Sequence, residues 1–429
     1  MCFLRRAAQR RIMLEAMLKK RFVLISAALL FAPLAPNRCA GQARPAQSHS
    51  RPAKAASAEP WKFAVSGDSR NCGDVVMPGI AAGVRKSGAA FYWHLGDFRK
   101  ITDVDEDIQH QPEHLVISPI AAAAKRRGTE SYWRLGDFRI ADMGGNIQPK
   151  PEHPAKALSL PEYEKIAWTD FIENQLMPFG SLPVYLAIGN HEMVAPRTRP
   201  EYVAQFHRWL DTPQLRTQRL HDDPSATEPR TYYHWIEHGV DFIALDNATK
   251  DEFDDGELSW FEKTLQTDAA NARIRTLVVG MHEALPESIS ANHSMDESPT
   301  GIETGRRVYA DLLNAQNDNG KRVYVLASHS HYFMDGIFNT EYWRTHGGIL
   351  PGWIIGTAGA ERYALPEDAK DARAAETNVY GYLLATVSLQ GEIQFDFRRL
   401  SEQDIPAAVM QRYTPDFVRW CFAENSSAR

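Results

Sequence analysis

Short apolar runs along this chain repeatedly end in a small residue that is followed by polar side chains. The run at 182–188 stops at Gly189 and leads into Asn190-His191-Glu192. A nearly continuous apolar run of this length is typical of a β-strand that is buried on both faces. Because buried amide and imidazole groups need a partner, these side chains indicate a bound metal ion or phosphate.

Four other apolar runs end in the same way. They lead into Asp68, Asp97, His282 and the segment His329-Ser330-His331. One such ending carries little weight, but five along one chain indicate that these polar residues act together. In open α/β sheets, ligands bind outside the carboxyl ends of the strands. The five endings therefore predict one shared site at one edge of a sheet.

The rest of the pattern alternates between strands and helices. The strand before Asp68 is followed by a predicted helix at 75–86 and a strand at 89–95, a βαβ unit that implies a parallel sheet. Further elements are predicted as helices at 161–177, 256–267 and 307–314, a β-hairpin at 232–245, and strands at 276–281, 323–328, 353–355, 382–387 and 393–397. This order favours two packed sheets covered by helices.

One helix-and-strand unit occurs twice in the sequence. The segment 120–139 repeats 80–99, so that Asp137 is the counterpart of Asp97. Only one copy can lie beside the first strand, and the strand of the first copy is the more apolar. A strand covered on both faces favours that copy. We therefore predict that Asp97 is the site residue, with Asp137 as the alternative and a duplicated insertion at about 98–150.

The chain begins with a segment that is typical of export signals. Three basic residues at 19–21 precede an apolar run at 22–36, which is too short and too interrupted by proline to span a membrane stably. We predict a signal peptide at 1–43, a disordered lead-in at 44–60 and one domain at 61–429, hence a periplasmic or secreted protein. An uncleaved anchor or a misassigned start is the alternative.

Composition narrows the possible functions. The chain of 429 residues has a formal net charge of −6 and no basic stripe with interleaved aromatic residues, so we expect no nucleic-acid-binding surface. Removal of the signal leaves the cysteines Cys72 and Cys421. In an oxidising compartment these two could form a disulfide, and two separate thiols are the alternative.

The polar strand endings resemble the motifs of a known enzyme family. The motifs of calcineurin-like metallophosphoesterases, which include purple acid phosphatases, are similar in order and placement to Gly67-Asp68, Gly96-Asp97, Gly189-Asn190-His191-Glu192, His282 and His329-Ser330-His331. The resemblance extends over roughly 61–397. It implies an α/β fold, a four-layer α/β/β/α sandwich of two mixed sheets, with two metal ions at the carboxyl ends of the strands.

The resemblance also implies a role for each residue. The metal ligands would be Asp68 and His331 for one ion, Asn190, His282 and His329 for the other, and Asp97 as the bridge. His191 would face the substrate and either protonate the leaving alkoxide or stabilise the transition state, and Glu192 would orient a ligand. Mixed oxygen and nitrogen ligands suit divalent or trivalent Fe, Zn or Mn ions.

The chain departs from the family pattern at Arg70, where many relatives have a histidine ligand. The tyrosine that purple acid phosphatases use is replaced by Lys100 or, in the second copy, Ile140. Water, Asn71 or Asp74 would then complete the first ion's ligands, or that ion would bind weakly. Arg70 is predicted to be catalytic through contact with substrate phosphate, and a charge partner for nearby carboxylates is the alternative.

The expected function follows from these residues and the resemblance. Two metal ions would activate a bridging hydroxide and neutralise charge on the phosphoryl oxygens. We expect an exported, dinuclear, metal-dependent phosphoesterase that hydrolyses small phosphate monoesters. A phosphodiesterase acting on nucleotides or lipid head groups is one alternative. A catalytically weakened relative that only binds phosphorylated ligands is another.

Other polar residues have more ordinary interpretations. His94, inside an apolar strand, is predicted to be a core histidine. His234 and His238 are predicted to be surface groups of the hairpin, and the acidic run at 103–107 a solvated loop. His293, in the loop after His282, could line the entrance to the substrate site.

Overall fold

The computed structural model of the chain describes residues 59–111, 158–249 and 251–427. The predicted signal peptide, nearly all of the predicted lead-in and the second copy of the duplicated unit, with Asp137, lie outside these residues. Within them, no helix combines the length and the apolar character needed to cross a membrane.

The strands form two sheets. In chain order they are β1 (Trp61–Ser66), β2 (Tyr92–His94), β3 (Val184–Leu186), β4 (Tyr233–Glu237), β5 (Val240–Ala244), β6 (Thr276–Gly280), β7 (Arg322–Ala327), β8 (Phe333–Asp335), β9 (Gly352–Ile355), β10 (Ala374–Glu376), β11 (Tyr380–Val387) and β12 (Ile393–Leu400). The first sheet has the order β12-β11-β1-β2-β3, and the second has the order β10-β8-β9-β7-β6-β5-β4.

Both sheets are mixed, with a parallel block at the centre. β1, β2 and β3 are parallel in the first sheet, and β5, β6, β7 and β9 are parallel in the second. The other pairings are antiparallel. The parallel blocks carry the strands whose polar endings predicted a common site.

The helices cover the outer faces of the sheets. They are α1 (Gly73–Ser87), α2 (Glu106–Gln109), α3 (Leu160–Phe171), α4 (Arg199–Gln205), α5 (His207–Leu210), α6 (Pro213–Asp222), α7 (Asp255–Ala270), α8 (Pro299–Asn317), α9 (Glu341–Thr345), α10 (Ala407–Arg412) and α11 (Pro415–Ala423). α1, α3 and α11 pack on the first sheet, whereas α7 and α8 pack on the second.

Alternating side chains of the strands create the layers. In β1, Phe63 and Val65 point into the core between the sheets, while Ala64 packs under the outer helices. In β6, Val278 enters the same central core, and Leu277 packs under α7 and α8. Successive residues of a strand point to opposite faces, so each sheet is apolar on both sides. The predicted α/β/β/α sandwich of two mixed sheets is confirmed.

Two helices differ in extent from the prediction. α8 begins before the predicted start at 307, because the hydroxyl of Ser298 accepts a hydrogen bond from the backbone N–H of Gly301 and caps a new first turn. α3 ends at Phe171, before the predicted end at 177, and continues as the π-helical turn Ile172–Leu176. The predicted β-hairpin is present as β4 and β5.

A disulfide joins Cys72, just before α1, to Cys421 in α11. The two cysteines are 349 positions apart in sequence and both are fully buried. The alternative of two separate thiols is therefore wrong. The bond fastens the C-terminal helix to the loop that follows β1.

We predict that Cys421→Ser lowers the free energy of unfolding by about 2–4 kcal/mol, because the cross-link restricts the unfolded chain. Urea unfolding of the oxidised wild type and the variant measures this difference. In the control, wild type refolded in reductant should match the variant. Equal stability of the oxidised wild type and the variant would contradict the prediction.

Candidate metal centre

The five predicted strand endings come together at one edge of the two sheets. Asp68, Asp97 and Asn190 follow the parallel strands β1, β2 and β3, and His282, His329 and His331 follow β6 and β7. Side-chain atoms of the first sheet's residues lie within hydrogen-bond or ion-pair distance of those of the second. The structure therefore brings together all six residues that were predicted to bind metal, and their binding of metal remains a prediction.

The backbone at three of these residues is strained. Asp68, Asp97 and His329 have φ angles of 59°, 60° and 64°, in the left-handed region that non-glycine residues seldom occupy. Such conformations persist where the surroundings hold them, and they cluster at functional sites. Each one turns a polar side chain away from its strand and into the site.

Glycines allow the loops after β2 and β3 to touch. A Cβ atom on Gly189 would collide with Oδ1 of Asp97, and a Cβ atom on Gly96, whose φ is 94°, would collide with the backbone of Gly189. Only glycine tolerates this closeness. The glycine before each polar residue is thus part of the site's geometry.

Glu192 holds these two loops together. Its buried carboxylate accepts hydrogen bonds of 2.8 Å from the backbone N–H groups of Asp97, Phe98 and Gly189. Burial, reinforced by the charge of Asp97, raises the pKa of Glu192 to about 8. Glu192 fixes the position of Asp97, in keeping with its predicted orienting role.

His282 and three other electron-pair donors converge at one point. Nδ1 of His282 donates to the carbonyl oxygen of Leu95 at 2.9 Å, which leaves Nε2 as the site-facing atom. Nε2 lies 3.0 Å from Nδ1 of His329 and 3.1 Å from Oδ1 of Asn190. Oδ1 of Asp97 is 3.3 Å away. Electron pairs this close repel unless a proton or a metal ion lies between them.

The pKa shifts of His282 and His329 also indicate that the part of the site around His282, which forms one half of it, needs positive charge. Burial disfavours a charged His282, but the carboxylate of Asp97 outweighs it and raises the pKa of His282 to about 10. Burial and the charge of His282 hold the pKa of His329 well below its ordinary value. A proton on His282 is therefore the cation of the metal-free state. A metal ion would take its place between the same atoms.

The other half of the site contains Arg70. Its Nη2 donates to Nε2 of His331 at 2.5 Å, its Nη1 donates to Nε2 of His191, and Nη1 lies 3.4 Å from Oδ2 of Asp97. Oδ1 of Asp68 is 3.3 Å from Nε2 of His331. The guanidinium thus lies among the ligands that the resemblance assigned to the first ion. Both sequence interpretations of Arg70 remain open, although its pairing with Asp97 is present.

Backbone carbonyls orient the two histidines that face Arg70. Nδ1 of His331 donates to the carbonyl of Glu361 at 2.6 Å, and Nδ1 of His191 donates to the carbonyl of Lys100. Each Nε2 is then an acceptor for Arg70. Burial, with the charge of Arg70, lowers the pKa of His331, and the same two effects lower the pKa of His191. Both rings are neutral acceptors in this arrangement.

Three buried polar atoms around Arg70 have no hydrogen-bond partner among the described residues. They are Oδ1 of Asp68 and Oδ2 of Asp97, which are acceptors, and Nε of Arg70, which is a donor. Oδ2 of Asp68 instead accepts from the hydroxyl of Ser328 and from the backbone N–H of His329. Unpaired buried groups of this kind are costly and mark places where a ligand fits.

The residues proposed to complete the first ion's ligands have other partners. Oδ1 of Asn71 accepts from the backbone of Glu361, and its Nδ2 donates to Glu106. Asp74 forms an ion pair with Arg99. Both side chains are therefore engaged by other partners in this structure, which favours the other two alternatives for the first ion, namely water as a ligand or weak binding.

The acidic run at 103–107 is not a fully solvated loop. Asp105 and Asp107 are completely buried because Arg99, itself buried, pairs with Asp107 at 2.9 Å, with Asp74 and with Asp170. Burial opposes the charge of Arg99, but these carboxylates outweigh it and raise its pKa. The loop after Asp97 is thus anchored to α1 and α3. This corrects the sequence prediction.

The four other histidines that the sequence analysis discussed lie in different environments. His94 is a core residue as predicted, and burial lowers its pKa to about 3. His238 is exposed as predicted, but His234 is 4% exposed and was wrongly predicted to be a surface group. His293 stacks on Tyr363 beside the site.

Sequence reasoning missed Tyr363, which forms part of the site. Its ring stacks on His331 with centroids 3.9 Å apart, and its hydroxyl contacts Arg70. It belongs to the segment between β9 and β10, which has no motif of its own. The sequence carries no signal that would have found it.

Comparisons with known proteins place few constraints on the chain. No protein-family profile matches it, and no curated protein matches it. A solved structure of PhoD is 15% identical, with a TM-score of 0.44, and the match covers 82% of this chain and 73% of that one. The crystal structure of a cold-active protein-tyrosine phosphatase of a psychrophile, Shewanella sp., is 10% identical, with a TM-score of 0.25 and coverage of 78% and 80%. Likeness at this level carries no argument about function.

We predict that Asp97→Asn lowers metal affinity by at least about 10–100-fold. Loss of a residue that only orients a metal ligand costs that much, and Asp97 is itself a predicted ligand that supplies negative charge. Metal content after dialysis at limiting metal, measured by mass spectrometry, reports the change. The matched control Asp137→Asn should retain the wild-type content. The opposite result for the two variants would mean that the second copy supplies the ligand.

Proposed function

We propose that this chain is a metal-dependent phosphoric ester hydrolase of the calcineurin-like metallophosphoesterase type, acting on small phosphate monoesters. The observation that carries the proposal is the convergence of four electron-pair donors beside a buried guanidinium. The four electron-pair donors are suited to binding a metal cation, and the guanidinium beside them is suited to binding an anion. A phosphate ester bound to a metal ion and an arginine fits both.

The half of the site around His282 would hold the metal ion. Its ligands would be Asp97, Asn190, His282 and His329. One carboxylate, one amide and two imidazoles favour Zn, Fe or Mn over calcium, which prefers oxygen ligands only. When bound, such an ion lowers the pKa of water and neutralises charge on phosphoryl oxygens.

Arg70 favours one metal ion in place of the two expected from the resemblance. Its guanidinium lies 2.5 Å from His331 and 3.4 Å from Asp97, where a second ion would need to bind. Two cations in one position repel each other. We therefore propose that Arg70 provides the second positive charge, and a two-ion centre with Arg70 displaced is the alternative.

The chain's own residues would handle charge during hydrolysis. Water forms a bond to phosphorus while the ester P–O bond breaks, and the departing oxygen takes up a proton. Arg70 has an unpaired buried donor, Nε, and a guanidinium whose fork geometry matches phosphate oxygens. Nε2 of His191 accepts from Arg70, so His191 would position the guanidinium. Proton donation by His191 would require that contact to break.

Monoesters are proposed as substrates on the strength of the resemblance. The two charges of a divalent ion and the charge of Arg70 are offset by the carboxylates of Asp68 and Asp97, so the net charge of the site does not by itself distinguish a monoester from a diester. Nucleotide or lipid diesters remain the alternative substrates.

An exported protein is consistent with the disulfide. Cys72 and Cys421 are paired, and such bonds persist in oxidising compartments. Together with the basic and apolar pattern at 19–36, this supports a periplasmic or secreted location. N-terminal sequencing of the exported chain tests cleavage near residue 43.

We predict that the candidate metal centre of the purified wild type contains one tightly bound metal ion, and that the wild type cleaves p-nitrophenyl phosphate faster than bis-p-nitrophenyl phosphate. Metal analysis and steady-state kinetics measure both. Faster cleavage of the diester would favour the phosphodiesterase alternative. Absence of turnover in the metal-loaded chain would favour a binding protein. In the variant Arg70→His, removal of the guanidinium should raise the metal content by one ion per chain, whereas Arg70→Lys should leave it at the wild-type value.

A further prediction separates positioning from proton donation by His191. His191→Ala should lower kcat by about 10²–10³-fold, the usual cost of losing one group that stabilises transition-state charge. His191→Gln keeps an acceptor for Arg70 and should recover most of the activity. Equal losses in the two variants would contradict the positioning role and indicate a proton donor.

A further inference from the structure

A second group of buried ionisable side chains lies on the outer face of the second sheet. It consists of His234 in β4, Asp241 in β5 and Asp268 in α7, and we call it the edge-strand cluster. β4 is the last strand of the sheet, and α7 covers this face. The cluster shares no residue with the candidate metal centre.

The three side chains offer ligand atoms to a common point. His234 is 4% exposed, Asp241 is fully buried and Asp268 is 5% exposed. Nδ1 of His234 lies 2.9 Å from Oδ1 of Asp241 and 3.4 Å from Oδ2 of Asp268, and the potential ligand atoms all lie within 4.8 Å of one another. One nitrogen and two carboxylates therefore surround a volume of atomic size.

Protonation of His234 does not satisfy this cluster. An imidazolium has two N–H groups, and Asp241 and Asp222 accept them at 2.9 and 2.7 Å. Oδ2 of Asp241 and Oδ2 of Asp268 then have no hydrogen-bond donor among the described residues, unless one of these two carboxyl groups is itself protonated and donates to the other. Two unpaired carboxylate oxygens in a buried position are costly.

The metal-free charge state reflects this crowding. Burial disfavours a charged His234, but Asp241 and Asp222 outweigh it and raise the pKa of His234 to about 10. Burial, together with the charge of Asp241, raises the pKa of Asp268 to about 7. In the absence of an ion, protons partly neutralise the carboxylates.

We propose that the edge-strand cluster binds one divalent transition-metal ion of the zinc type through Nδ1 of His234 and the carboxylates of Asp241 and Asp268. Three protein ligands of this kind match a zinc site that leaves one position for water. The ion would bind the two carboxylate oxygens that lack a hydrogen-bond donor, and it would link α7 to the edge of the sheet.

Asp222 at the end of α6 supports this assignment. Its Oδ2 lies 2.7 Å from Nε2 of His234, on the side of the ring opposite to the cluster. Metal-bound histidines nearly always donate their other N–H to a carboxylate or a carbonyl, which fixes the ring and its tautomer. His234 therefore has both the ligand atom and the supporting partner of a metal-binding histidine.

A cavity gives the cluster a route to solvent. Its volume is about 380 Å³, and its lining includes His234, Asp268, Asp222 and Trp260. An ion could enter through this cavity, and a water molecule in it could complete the ligands.

The test counts zinc ions in the full chain. After dialysis against zinc and then against buffer, Asp268→Asn should contain one ion fewer per chain than the wild type. The matched control Asp223→Asn, which changes a carboxylate lining the same cavity, should contain as many ions as the wild type. Equal counts in the wild type and Asp268→Asn would overturn the proposal, and so would an equal loss in both variants.

A second measurement separates this site from the candidate metal centre. The double variant Asp97→Asn/His282→Ala should retain one zinc ion, whatever the outcome for the proposed hydrolase. X-ray absorption at the zinc edge should show one histidine nitrogen among oxygen ligands for that ion. This remains decisive if Asp268→Asn fails to fold. No retained ion, or an ion without one histidine ligand, would overturn the proposal.

Discussion

Electron-pair donors that face one another at the strand ends are the constraint on which this structure depends. Nε2 of His282 lies between Asp97, Asn190 and His329. His282 and Asp97 are fully buried, whereas Asn190 and His329 are partly exposed. Positive charge must be present, and the fold supplies the geometry for it. The left-handed turns at the strand ends, the close glycines and the three hydrogen bonds to Glu192 all hold these atoms in place.

Arg70 supplies positive charge in the neighbouring position of the site. A guanidinium has a permanent charge and five donors, so it can pair with Asp97 and also bind two neutral histidines. A metal ion is exchangeable, whereas an arginine is part of the chain. The proposed centre therefore combines one removable cation with one fixed cation, which differs from the two-ion centre that the motifs implied.

The sequence predicted the sandwich and the meeting of the strand endings because both follow from local patterns. Apolar runs define buried strands, and parallel strands bring their carboxyl ends to one edge. It could not predict where Arg70 points, because that depends on His191 and His331 from distant loops. His234 was misassigned for a similar reason: its partner Asp268 lies on a helix that the hairpin pattern does not reveal. Asp105 and Asp107 were misassigned because the buried Arg99 draws them inward.

The most direct test of the central claim is a crystal structure of the manganese-loaded chain with anomalous scattering data. The account predicts one anomalous peak in the centre, bound by Asp97, Asn190, His282 and His329, with the guanidinium of Arg70 still between His191 and His331. A centre with no peak among those four residues would contradict the claim. A second peak between Asp68 and His331, with Arg70 displaced, would contradict the role given to the arginine.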